Sequence, residues 1–288
     1  MVTRRNFLKN LTGATVLASS PCLLAEDRLA WPKPIGLELY TVRELFAKDP
    51  AGTLKHVAAA GYKEVEVSPG LKPEELHQYL RDAGLTAPSG YFESPRTVED
   101  WKKTVEQAHA YGLRYVTVGD NPRLDAAAWK RRADLYNQCG KLAQDAGMQF
   151  CYHAHFNELA RIGDTTGYDI MLKSCDPKLL KMEMDVFWMT YAGADPLHYF
   201  RLHPGRFPLL HIKDLYKDVG VNPHESPAEK SPNPFAPVGQ GKIDWHKIFA
   251  HASEAGAKHI FVEQDRCNMP PYEAIKISFD YLKNLRLN

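Results

Sequence analysis

From Ile35 to the C-terminus, short apolar runs alternate with longer stretches whose apolar residues recur every three or four positions. The first pattern predicts buried strands and the second predicts helices with one face on a core. Strands are expected over Ile35–Thr41, Glu64–Ser68, Leu85–Phe92, Tyr115–Gly119, Met148–His155, Lys181–Phe187, Leu209–Lys213 and His259–Glu263. Helical patterns lie between them, among them Pro73–Ala83, Val98–Tyr111, Ala126–Ala146 and Asp244–Ala255. Gly61, Gly84, Gly112, Gly147 and Gly256 each stand just past a helix and shortly before a strand, where helices end in left-handed backbone. Repeats of helix, glycine and strand at roughly thirty-residue intervals imply parallel strands with crossover helices. Eight such units predict an α/β chain closed into a single (β/α)8 TIM barrel. An open nucleotide-binding sheet would place a glycine-rich turn after the first strand, and Tyr40-Thr41-Val42-Arg43 stands there instead.

The first residues lie outside that rhythm. Thr3-Arg4-Arg5-Asn6-Phe7-Leu8-Lys9 reads as a twin-arginine export signature, followed by a mostly apolar stretch from Leu11 to Ala25. That stretch is too short and too rich in Ser, Thr and Gly for a convincing membrane span. We therefore expect a signal peptide over 1–25, cleavage near Ala25, and a barrel domain over 31–288. The expected partner is the twin-arginine export machinery, the expected location the periplasm or another exported compartment, and no membrane attachment is expected after cleavage. The remaining length, about 260 residues, is close to that of one barrel.

Lys and Arg number 36 and Asp and Glu 35, so no electrostatic footprint for nucleic acid is present. Homo-oligomerisation is left open by the sequence. Cys139, Cys151, Cys175 and Cys267 match no zinc spacing and read as buried free thiols. Between Asp214 and Asp244 the chain carries Pro223, Pro227, Pro232, Pro234 and Pro237 and closes with Gly239-Gln240-Gly241. Because this stretch follows the seventh strand, it is expected over the barrel mouth.

The late strands carry the chemistry. Alternation places Glu183, Asp185 and Phe187 on one face of strand six, His211 and Lys213 together on strand seven, and Phe261, Glu263 and Asp265 together on strand eight. Helices cover the outside of a barrel, so the polar members must face the mouth. Asp185, His211 and Glu263 offer two hard oxygen donors and one imidazole, a set suited to manganese, magnesium, cobalt or zinc. A salt-bridged core with Lys213 is the competing reading. His153, His155 and Glu158, at and beyond the end of strand five, compete for the fourth ligand position. Glu38, Tyr40 and Glu66 are expected to bind substrate hydroxyls, and Trp188 to form an apolar wall against a sugar ring.

Ile35-Gly36-Leu37-Glu38-Leu39-Tyr40-Thr41-Val42-Arg43, Tyr152-His153-Ala154-His155, Pro204-Gly205-Arg206-Phe207-Pro208-Leu209-Leu210-His211-Ile212-Lys213-Asp214 and Phe261-Val262-Glu263-Gln264-Asp265 resemble the sugar phosphate isomerase/epimerase family of xylose isomerase-like barrels, in its exported twin-arginine branch. The resemblance spans nearly all of the chain after residue 30 and implies a divalent metal carried by Asp185, His211 and Glu263. It also implies a strand-five glutamate acting as ligand and base, a place filled here by His153, and a strand-three histidine, a place filled by Tyr91. Lys213 and Arg266 remain as polarising or acid groups.

The function expected first is a metal-dependent sugar or keto-sugar isomerase or epimerase that removes a proton beside a carbonyl, with Glu263 or His153 moving the proton and Lys213 holding oxygen. The same proton abstraction followed by loss of a β-substituent would make the protein a lyase or dehydratase on a 3-keto-glycoside. A non-catalytic carbohydrate-binding barrel would not require a complete metal set. An abasic-site endonuclease would need a basic groove.

Overall fold

The computed structural model describes residues 28–222 and 233–287. Eight parallel strands close into a barrel: β1 (Gly36–Glu38), β2 (Glu64–Val67), β3 (Thr86–Phe92), β4 (Tyr115–Val118), β5 (Gln149–His153), β6 (Leu180–Asp185), β7 (Leu209–Ile212) and β8 (His259–Val262). Each strand pairs with its sequence neighbours, and β8 pairs with β1 to complete the ring. The main crossover helices are α1 (Pro50–Ala60), α2 (Pro73–Ala83), α3 (Val98–Ala110), α4 (Ala126–Asp145), α5 (Gly167–Ser174), α6 (Pro196–Leu202), α7 (Trp245–Ala250) and α8 (Pro271–Asn284). This is the expected TIM barrel. The predicted signal segment, 1–25, lies outside the described residues. Among the described residues no helix is long and apolar enough to cross a membrane.

Local sequence explains the repeat. Helices open on side-chain caps: Asp49, Thr97, Asp125, Thr166 and Asp244 each accept a first-turn backbone N–H. The five predicted glycines all adopt positive φ, from 66° at Gly84 to 119° at Gly61, a conformation that costs other residues a Cβ clash. The apolar face of each helix then lies on the outer face of the barrel. Trp101 and Tyr136, for example, pack on Phe150 of β5. Cys151, Leu209 and Phe261 form an apolar layer on the inner face, and the polar residues of β5 to β8 lie nearer the mouth.

Four boundaries differ from expectation. β1 stops at Glu38 because the side chain of Glu38 caps the backbone N–H of Tyr40 and starts a 3-10 turn over Leu39–Val42. β5 stops at His153, leaving His155 beyond the strand. β6 stops at Asp185, whose carboxylate caps Trp188 and opens a short helix, Val186–Tyr191. Phe187 therefore leaves the inner face and packs with Tyr191 and Phe235. The helix predicted over Asp244–Ala255 is divided at His251.

Of the proline-rich connection, Pro223, Pro227 and Pro232 lie outside the described residues. Its two described ends are tied together at the rim, where Asp214–Leu215 pairs antiparallel with Phe235–Ala236. Cys139, Cys151 and Cys175 are buried free thiols as expected, whereas Cys267 is partly exposed.

Candidate active site

Strand register decides which side chains meet. In a parallel barrel, residues paired across neighbouring strands point to the same side. The register pairs Glu38 with Glu66 and Glu66 with Ser89, His153 with Glu183, and Asp185 with His211. These residues project into the barrel and converge on its axis. His211 sits at the centre: its Nδ1 lies 2.8 Å from Glu263, and its Nε2 lies 2.7 Å from Glu66 and 3.3 Å from Glu183. His153 Nδ1 is 3.1 Å from Glu183. Lys213, only 1% exposed, lies 3.0 Å from Asp185, 2.8 Å from Glu263 and 2.9 Å from Asp265.

The electrostatics follow from crowding. Within this cluster, Glu38, Glu66, Glu183, Asp185, Glu263 and Asp265 are faced by two groups that carry positive charge, Lys213 and His211. Burial raises Glu38 and Glu183 well above the ordinary carboxylate range, and neighbouring Glu66 pushes both further. Burial raises Asp185 against the opposing pull of Lys213, and raises Asp265 to about 6. Glu263 moves the other way, because Lys213 and His211 outweigh its burial. Burial would lower His211, but Glu183 and Glu263 overcome it, so its pKa lies well above the usual imidazole value. Burial lowers His153 strongly and brings His155 to about 3, so both are neutral imidazoles.

Asp185–His211–Glu263, His153–Glu183–His211 and Glu38–Glu66–His211 each place three ligand atoms within 4.8 Å of one another. Oε1 of Glu183 and Oε2 of Glu38 are buried without a hydrogen-bond partner. Buried carboxylates that exceed their cations fit a divalent cation, which would neutralise the carboxylates that hold it and displace the proton on His211.

Above the cluster opens a cavity of about 400 Å³. Glu38, Tyr40, Tyr91, His153, His155, Trp188, His211, Glu263 and Asp265 line it. His155 and Phe156 pack against Trp188 on one side, and Tyr40, 46% exposed, stands on the other. Asp120 and Asn121 complete the rim. Asn121 adopts a left-handed φ of 48° and holds Asn157 through both its carbonyl groups, which fixes the turn carrying Phe156.

The structure thus brings together most of the residues expected from sequence and relocates three. Glu66 is fully buried beneath the cavity, bonded to Ser89 and His211, and is not placed to bind substrate hydroxyls. Glu158 turns away to accept the Tyr152 hydroxyl and the His155 backbone N–H, so it leaves the contest for the fourth ligand position. Arg266 lies outside this cavity, in an adjoining one beyond Asp265. Lys213 and Asp185 sit one layer below the cavity surface, so Lys213 meets carboxylates rather than open space. Two cluster members had been placed on the inner face but given no role. Glu183 shares a face with Asp185, and Asp265 shares one with Glu263, so alternation already contained the signal for both. Asp120 and Asn121 come from a loop with no periodicity to reveal them.

A family model for the xylose isomerase-like TIM barrel matches residues 54–285. An inosose dehydratase of Geobacillus thermodenitrificans is 25% identical over 265 residues, covering 80% of this chain and 87% of that protein. A crystal structure of a sugar phosphate isomerase/epimerase from Parabacteroides distasonis superposes with a TM-score of 0.74 at 23% identity, covering 87% of this chain and 93% of the other. A xylose isomerase-like TIM barrel protein from Mycobacterium smegmatis, in complex with magnesium, superposes with a TM-score of 0.65 at 15% identity, covering 88% and 97%.

Proposed function

The chain belongs to the xylose isomerase-like TIM barrel family, and we propose that within it the protein is a metal-dependent lyase of the dehydratase type. Its substrate would be a keto-sugar or related ring ketone that loses a β-oxygen substituent. The similarity to a protein named inosose dehydratase supports this elimination over the isomerase or epimerase reading expected first from the sequence.

The observation that carries the reading is an unlike pair of proton-moving groups on opposite sides of one cavity. Glu38 ends β1, and His155 follows β5, the strand diametrically across the ring. Glu38 keeps an unpaired Oε2 and a pKa raised chiefly by burial, so it holds a proton to give. His155 lies in the cavity with an Nδ1 that has no hydrogen-bond partner, and in the Nε2–H tautomer that nitrogen would accept a proton. Elimination calls for one base beside the carbonyl and one acid at the departing oxygen, and this pair supplies both.

Asp185, His211 and Glu263 would hold the divalent cation, with His153 completing the set; that the Mycobacterium smegmatis relative is in complex with magnesium supports a divalent metal in this fold. When bound, the cation supplies Lewis acidity toward a carbonyl oxygen. Lys213 keeps Asp185 and Glu263 ionised and oriented. Trp188 and Phe156 provide an apolar wall on one side of the ring, and Tyr40 a face on the other. His155 removes the proton beside the carbonyl, and the C–H electron pair forms the new C=C bond. The β C–O bond breaks, and Glu38 delivers its proton to the departing oxygen. No redox partner is needed.

Incubating metal-loaded protein with keto-glycosides in deuterated water tests this. Release of the β-substituent with appearance of an enone is the expected result, abolished in His155→Gln and strongly reduced in Glu38→Gln. Interconversion of aldose and ketose without release of any substituent would remove the lyase reading. We further infer that the protein works outside the cytoplasm. The support is the Arg4-Arg5 signature and the apolar stretch after it, and a reporter fused after residue 25 that stays cytoplasmic would count against it.

A further inference from the structure

Each histidine of the candidate metal set turns one nitrogen toward that set and the other away from it. Nε2 of His153 and Nδ1 of His211 face the same oxygen, Oδ2 of Asp185, at 3.9 Å and 4.0 Å. Nδ1 of His211 also lies 2.8 Å from Glu263. The opposite nitrogens meet two glutamates that the proposed elimination leaves without a task. Nδ1 of His153 lies 3.1 Å from Glu183, and Nε2 of His211 lies 2.7 Å from Glu66 and 3.3 Å from Glu183.

Both glutamates are fixed in turn. Strand register pairs Glu183 of β6 with His153 of β5, and Glu66 of β2 with Ser89 of β3. The Ser89 hydroxyl donates to Oε1 of Glu66 at 2.5 Å, and Thr117 Oγ1 lies 3.3 Å from the same hydroxyl. Glu66 and Glu183 are fully buried, so neither carboxylate shares its imidazole with bulk water. An imidazole that gives a lone pair to a metal carries its proton on the other nitrogen. A carboxylate that accepts from that N–H sets the tautomer, aims the ring and makes the donor nitrogen more basic.

We propose that Glu183 and Glu66 are positioning residues of this kind for His153 and His211, and that the two imidazoles and two carboxylates so arranged select zinc over magnesium. Magnesium takes oxygen ligands and gives up water reluctantly, whereas imidazole suits zinc. The inference rests on the reading of Asp185, His211, Glu263 and His153 as the metal set and extends it to the residues behind that set.

Competition calorimetry on chelator-treated full-length protein, with zinc, magnesium and cobalt(II) as probes, tests this without turnover. The expected result is a preference for zinc over magnesium on the order of a hundredfold. Glu183→Gln keeps an acceptor oxygen but loses the charge, and should weaken zinc binding about tenfold; Glu183→Leu keeps no acceptor and should weaken it about a hundredfold. The same two changes at Glu66 should act alike. The visible spectrum of bound cobalt(II) should shift in each Gln variant, a signature that a merely structural role would not move. Circular dichroism checks folding, and the Gln variants, close to Glu in volume, carry the test if a Leu variant misfolds. A preference for magnesium, or a zinc affinity within about twofold of the parent's in both folded Gln variants, would overturn the inference. If Asp185→Asn loses zinc while the glutamate variants keep it, the positioning role alone is refuted. Zinc binding that survives Asp185→Asn, or a parent that takes up no cation, would refute the metal set and the positioning role with it. A protein that binds zinc as expected but eliminates nothing would refute the proposed reaction and leave this inference standing.

Discussion

Replacing Asp214 with Asn should unfasten the rim of the barrel mouth, and the structure sets the size of the effect. The Asp214 carboxylate is fully buried and accepts five hydrogen bonds. Oδ1 takes the N–H groups of Leu215 and Ile243, and Oδ2 takes those of Gly239 and Gly241 and the indole Nε1–H of Trp245. Asn can keep only one acceptor oxygen. In its better orientation it saves the three bonds at Oδ2 and turns an NH2 group toward two backbone donors. Hydrogen bonds to a charged group contribute about 1.5–3 kcal/mol each, so losing two costs roughly 3–6 kcal/mol. At about 2–4 °C per kcal/mol, the midpoint of thermal unfolding should fall by roughly 6 °C or more. Circular dichroism with parallel urea titration measures the loss, and Trp245 fluorescence reports whether it begins locally. Asp244→Asn is the control: that exposed carboxylate caps one backbone N–H of α7, and Asn caps nearly as well. An Asp214→Asn protein melting within about 1 °C of the parent would show that these five contacts do not hold the segment, and the reasoning would fail.

Three further outcomes are expected. Adding manganese, zinc or magnesium to chelator-treated protein should raise the unfolding midpoint, with a gain near 2.7 kcal/mol at about a hundred times Kd, and Asp185→Asn should remove the shift; an undiminished shift in that variant would exclude Asp185 as a ligand. Glu158, raised by burial from 4.5 to about 7, holds its proton more tightly when folded, so it favours the fold at low pH and that contribution is lost as pH rises through 4.5 to 7. The stability of the parent should therefore fall relative to Glu158→Gln across that window, by about 3 kcal/mol, and parallel slopes in urea midpoints would contradict it. Gly119→Ala would set a Cβ 2.4 Å from both the His153 carbonyl and the Tyr91 hydroxyl, so turnover should drop at least tenfold with about 1–3 kcal/mol of lost stability; unchanged kinetics would show that the cavity wall yields freely.

The barrel was legible because its cause is local and repeated. Period-two apolar runs, helical stretches and glycines at helix ends recur in step, and each repeat carries the same signal. Asp185, His211 and Glu263 were legible for a related reason: alternation puts them on the inner face near strand ends, and a barrel has one interior. The strand ends themselves were less readable. At Glu38 and Asp185 a carboxylate caps the next backbone N–H and ends extension within one residue, an event that pattern does not encode.

From the sequence alone came the eightfold αβ repeat, the inward face of each late strand and the kinds of polar group gathered there. Only the tertiary structure decided which of those groups meet. Register across strands far apart in sequence placed Glu66 and Glu183 around His211, buried Lys213 among three carboxylates, and left Arg266 on the far side of Asp265. The reason is physical: hydrophobic period depends on neighbours within a few residues, whereas distance and burial in a closed barrel depend on all eight strands at once.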